Sequence, residues 1–80
     1  MEPKIKSLVS QEIESYGIDR AKTLISSGRS TPSEIASVIR KRIDKTRLDE
    51  MMAIRAEMPL LAFVQDCLKI EAFVEAEITS

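Results

Sequence analysis

The only two glycines and three prolines of this chain stand where helices have to begin or end. Pro3, Pro32 and Pro59 carry fixed backbone torsions and no N–H, which a first helical turn tolerates and a helix interior does not. Gly17 and Gly28 suit the left-handed residue just past a helix end. These marks cut the 80 residues into helix-length pieces, and the apolar residues between them recur at helical spacing. No stretch alternates apolar and polar residues between turns, as a half-buried strand would.

The first piece sets Ile5, Leu8, Val9, Ile13 and Tyr16 on one face, and the second sets Ile18, Ala21, Leu24 and Ile25 on one face before Gly28. Thr31-Pro32-Ser33-Glu34 then reads as an N-cap, a proline at the first helical position and a capping-box glutamate. The helix it opens carries Ile35, Val38, Ile39 and Ile43. Met51, Ile54 and Met58 point about 140° away from that face. The chain is therefore expected to bend near Asp44–Arg47, making residues 32–58 one kinked helix or two, with Thr46-Arg47-Leu48-Asp49 as a second capping box. Pro59 pushes Met58 out of helical geometry and opens a last helix that runs to about Ile78. Its apolar arc holds Leu60, Leu61, Phe63, Val64, Cys67, Leu68, Ile70, Val74 and Ile78, wider than a two-helix seam needs.

The expected fold is all-α: a single helical domain over residues 1–80, built as a small bundle of four to five helices. Met51, Met52, Met58, Phe63 and Phe73 concentrate in residues 48–78, so that half is expected to form most of the core. In that arrangement 46–58 and 59–78 pack as an antiparallel pair. A chain near this size buries only about 60% of its unfolded surface, and such domains usually gain support from disulfides, a metal or a second subunit. Cys67 has no second cysteine to join, and without histidine one thiol makes no structural zinc site. Self-association through the C-terminal helix, as a homodimer or higher oligomer, is the remaining expectation.

Several function classes fall away. A formal charge of −1 gives no strong field toward nucleic acid or an anionic membrane. The opening MEPKIKSLVSQEIE meets acidic residues before any long apolar run, so no signal peptide is expected. No run approaches the roughly 20 apolar residues of a membrane span, and the expected compartment is the cytoplasm, where Cys67 stays reduced. With no histidine, the commonest general base is missing. The carboxylate pairs Glu12/Glu14 and Asp49/Glu50 read as surface pairs. Cys67, between Val64 and Leu68 in an apolar arc, reads as a buried structural thiol. No glycine-rich phosphate loop is present. The chain is expected to be no enzyme and to hold neither cofactor nor metal.

Four features invite a sharper reading. Arg40, Lys41, Arg42, Lys45 and Arg47 form a basic cluster after a capped helix, which resembles the first helix of a helix-turn-helix leading into a recognition helix. That likeness implies DNA contact over residues 31–55, with Arg47 near base edges and Arg40, Lys41 and Lys45 on phosphates. Its turn, Arg-Lys-Arg-Ile-Asp, lacks the usual small residue, and Asp49 and Glu50 would face the DNA. Arg42 and Glu71 both fall on apolar faces, which points to a buried ion pair within or between subunits. Phe73 projects from the polar side of the last helix, and with Met51, Met52, Leu60 and Phe63 it marks an interface with a partner or subunit. Tyr16, near Lys22 and Arg29, could stack on a ligand base.

Three functions follow as expectations. The first is a small helical adaptor, inhibitor or regulator that binds another protein. The second is a DNA-binding regulator. The third is an oligomer that sequesters a small anionic or nucleotide ligand between subunits.

Overall fold

A computed structural model describes residues 1–80. Five helices follow one another with no strand: α1 (Pro3–Tyr16), α2 (Ile18–Ser26), α3 (Pro32–Thr46), α4 (Leu48–Ala56) and α5 (Leu60–Thr79). Gly17 alone separates α1 from α2. Its N–H donates to Ile13 O at 2.9 Å and its carbonyl accepts from Ala21 N–H at 3.0 Å. Its φ of 103° is the reason for glycine, because an added Cβ would meet only the Arg20 Cβ, at 3.5 Å, an ordinary contact.

Thr31 starts α3 as its sequence promises. The hydroxyl accepts from Glu34 N–H at 3.1 Å and donates to Glu34 Oε1 at 3.1 Å, satisfying an otherwise orphaned N–H of the first turn. The expected bend is a complete break: Arg47, at φ −121° and ψ 21°, ends α3 and starts α4. Thr46 does not cap the second helix. Its hydroxyl turns back to Arg42 O at 2.7 Å, a bond that keeps Thr46 inside α3.

Contacts at opposite ends fix the directions of the helices. Arg47, at the start of α4, bonds Gln11 and Glu12, whereas Glu57, just past its end, pairs with Lys4. Helix α4 therefore runs antiparallel to α1. The Glu2 N–H donates to Asp66 Oδ2 at 2.7 Å, and Ser10, Ile13 and Glu14 line a depression with Glu77. Helix α5 therefore runs parallel to α1.

The largest side chains that are fully buried are Ile5, Val9, Ile35, Ile39, Ile43, Ile70, Val74 and Ile78. All are β-branched, so each loses little rotamer freedom when the helix packs. The most extensive pairing is α3 with α5, and α1 packs on both. The expected α4–α5 pair is thus replaced, and residues 48–78 do not form most of the core: they add only Met51, Ile54, Ile70, Val74 and Ile78 to the buried apolar set. Matching explains the exchange. Ile35, Ile39 and Ile43 recur every fourth residue along 15-residue α3, as Ile70, Val74 and Ile78 do along α5. The nine residues of α4 bury only Met51 and Ile54 and offer no ridge of that length.

The result is elongated, 41 × 20 × 16 Å, and no helix is long and apolar enough to cross a membrane. Truncating Ile70, which is fully buried, is expected to lower stability in denaturant unfolding by about 3 kcal/mol. Glu71→Ala, one residue along but exposed, should stay within about 0.5 kcal/mol of the parent. Equal effects would mean that α5 docks through a different face.

Candidate interaction surface

Helix α5 has more apolar surface than the core can take. Ile70, Val74 and Ile78 turn inward, with Phe63, Cys67 and Phe73 half-buried against the same cluster. The rest of the arc faces outward: Leu60 is 57% exposed, Leu61 70%, Val64 44% and Leu68 79%. Leu61, Val64 and Leu68 are spaced as neighbours on one helix face, and Gln65 lies beside them. The only charge between residues 60 and 68 is Asp66, which is buried and holds the Glu2 N–H. The outward stripe is therefore uncharged until Lys69 and Glu71. Leu48 and Met52, one turn apart on α4, are also open at 56% and 47%.

The residues expected at an interface divide between inside and outside. Met52 and Leu60 are exposed, whereas Met51 is buried and Phe63 is half-buried. Phe73 is not the free aromatic that its polar neighbours imply. It packs against the core edge, and Lys6 Nζ lies 5.8 Å from its ring centroid, because α1 runs alongside that flank of α5. Tyr16 is likewise occupied: it is 9% exposed, and the Arg20 guanidinium carbon sits 4.4 Å from its ring centroid. A stacked ligand base would have to displace that cation. Cys67 is half-buried rather than fully buried.

The arginines of the basic cluster are engaged within the chain, whereas Lys41 and Lys45 are exposed. Arg47 Nε donates to Glu12 Oε1 at 2.8 Å, and Nη1 donates to Gln11 at 3.0 Å and to both Glu50 oxygens at 3.2 Å. The bond to Glu12 raises the Arg47 pKa further above its ordinary value, partly opposed by desolvation. Arg42 does not meet Glu71 within the chain. It donates to Ser15 Oγ at 3.1 Å and lies 3.6 Å from Glu12 Oε2, while Glu71 is exposed. Arg40 reaches Cys67 O at 3.3 Å and Asp44 at 3.3 Å. Of the four cations expected on phosphates or bases, Lys41 and Lys45 alone have no such partner.

Glu12 is the residue that sequence reading misplaces. It is 5% exposed rather than on the surface, because it occupies the same helical stripe as Ile5, Val9, Ile13 and Tyr16. Its Oε2 is buried without a hydrogen bond, and Arg42 offsets it only as a nearby charge. That position inside the apolar period was the available signal. At the other end of α4, the Glu57 bond raises the Lys4 pKa from its ordinary 10.5. On the Lys4 side the charge is therefore fully present below that value and is lost as pH rises past the raised one. Both partners are more than 60% exposed, so the pair adds little stability.

The largest depression, about 360 Å³, lies between α1 and α4 and is lined by Lys4, Leu8, Gln11, Glu50 and Glu57 among others. Its charged rim is already paired, Lys4 with Glu57 and Glu50 with Arg47. The outward face of α5 carries four of the eight large hydrophobic side chains left exposed. Compared with models of protein families, with curated proteins and with solved structures, the chain matches none.

Removing the buried carboxylate should show what the charge cluster contributes. Glu12→Ala strands Arg47 and Arg42 at the α3–α4 break and is expected to lower stability by about 2 kcal/mol. In a domain of this size that shifts Tm by roughly 10 °C. A thermal melt within a degree of the parent would mean that the cluster is ornamental.

Proposed function

We propose that this chain is a non-catalytic interaction protein that docks onto another protein chain through the outward face of α5. One observation carries the reading: an uncharged stripe of Leu60, Leu61, Val64 and Leu68 stays open although the adjoining face of the same helix is packed by Ile70, Val74 and Ile78. Scattered surface leucines need no explanation, but a contiguous apolar patch on a small protein marks a contact site. Leucines aligned on one helix face are the usual anchors of helix-mediated recognition.

The DNA-binding reading draws less support. Arg47, its intended base reader, is tied to Glu12, Gln11 and Glu50, and Arg40 is held by Asp44 and a backbone carbonyl. The ligand-sequestering reading needs a free aromatic face at Tyr16, where Arg20 already lies.

The test compares the tagged chain with a Leu61→Glu, Leu68→Glu double variant in an extract of its own source. Both positions are well exposed, so helical content by circular dichroism should be unchanged. The parent is expected to elute in a complex heavier than its own 9.0 kDa, and the variant at the free-chain position. A parent that elutes as a free chain would remove the reading, and a variant that stays in the complex would move the contact off α5.

A further inference from the structure

The uncharged stripe has a symmetry of its own. Measured along α5, Leu60 and Leu68 lie four residues on either side of Val64, and Leu61 lies three residues before it. We infer that the occupant of this face is a second copy of the same chain, paired antiparallel about a two-fold axis at Val64. This rests on the reading of α5 as a docking face and names what docks there.

A two-fold contact must be self-complementary, because each residue meets the symmetry mate of its own neighbour. Here the requirement is met. Val64 faces Val64 of the second copy, and Leu60 and Leu61 of each copy meet Leu68 of the other. Self-pairing also brings like charges together, which penalises most helix faces. On this one the residues near the axis are Leu61, Val64, Gln65 and Leu68, and the nearest acid, Asp66, is turned inward onto the Glu2 N–H. Lys69 lies to one side, and Glu71, in line with the stripe but seven residues past Val64, falls outside the segment 60–68 over which the two copies of α5 overlap.

The size of the face also fits. A stable contact takes about 10% of a small protein's surface, and this chain exposes 5044 Å² in all. The three leucines and Val64, with Gln65 at the shoulder, approach that fraction. The pairing would supply what a short chain lacks. Only 17 of the 80 residues are buried, and eight large hydrophobic side chains are open, half of them on this stripe.

Sedimentation of the purified chain and disulfide trapping test this together. The parent should sediment at twice its 9.0 kDa, and Leu68→Glu should raise the dimer dissociation constant by about a hundredfold with unchanged helical content. In a Cys67→Ser background, Val64→Cys should cross-link to itself on oxidation. Leu61→Cys and Leu68→Cys should each fail to do so, since in the antiparallel pair their mates lie about 9 and 12 Å apart along the axis, beyond disulfide reach. The two together should form a mixed dimer. A parent that sediments as a monomer overturns the inference, as does self-cross-linking of Leu61→Cys, which signals a parallel pair. A monomeric purified chain that still enters a complex in extract defeats the self-pairing alone, whereas a monomer in both settings defeats the docking face as well.

Discussion

The packing of α3 against α5 is the contact on which the other elements depend. Ile35, Ile39 and Ile43 form one ridge and Ile70, Val74 and Ile78 the other, and α1 closes the remaining side with Ile5 and Val9. Because every one of these side chains is branched at Cβ, the seam has few alternative rotamer sets and its geometry is narrowly specified. Apart from Leu8 and Met51, leucine, methionine and phenylalanine are left to the margins. Once α5 commits its isoleucines and valine to this seam, its leucines have no place but outside.

Charge completes what the seam leaves undone. The break between α3 and α4 has no side-chain cap, and Arg47 has an unremarkable sequence context. What holds it is the Glu12 carboxylate, buried in α1, with Gln11 and Glu50 sharing the guanidinium. A buried acid with two arginines within 4 Å is weak as a source of net stability and strong as a constraint on position. It fixes where the second half of the bent segment departs from α3.

Local grammar was legible in the sequence, and pairing was not. Gly17, Gly28, the Thr31 cap and Pro59 mark helix ends through backbone chemistry alone, and the phase change after Ile43 marks the bend while leaving open whether 32–58 is one kinked helix or two. The partner of α5 depends on the length and pitch of ridges on two separate helices. Side-chain bulk in residues 48–78 pointed to α4, whereas the four-residue recurrence shared by α3 and α5 was the better guide. Glu12, taken as a surface carboxylate, shares the apolar period of α1 and so faces inward; for Arg42, a helical wheel shows that a charge faces inward but not which opposite charge it finds. The width of the α5 arc did carry the main surface feature, an apolar excess that no two-helix seam absorbs.

One consequence follows from the way α4 is tied in. It contributes two buried side chains, lacks a capping group, meets α5 hardly at all, and is held at its ends by ion pairs, of which Lys4–Glu57 is largely exposed. Helices α1, α3 and α5 share a seam of isoleucines and valines to which α4 adds no ridge. In cooperative terms the molecule is therefore two units of unequal strength, a three-ridge body and a nine-residue strap. The strap is the unit with the smaller opening free energy, so its amides exchange with solvent before the rest of the fold yields.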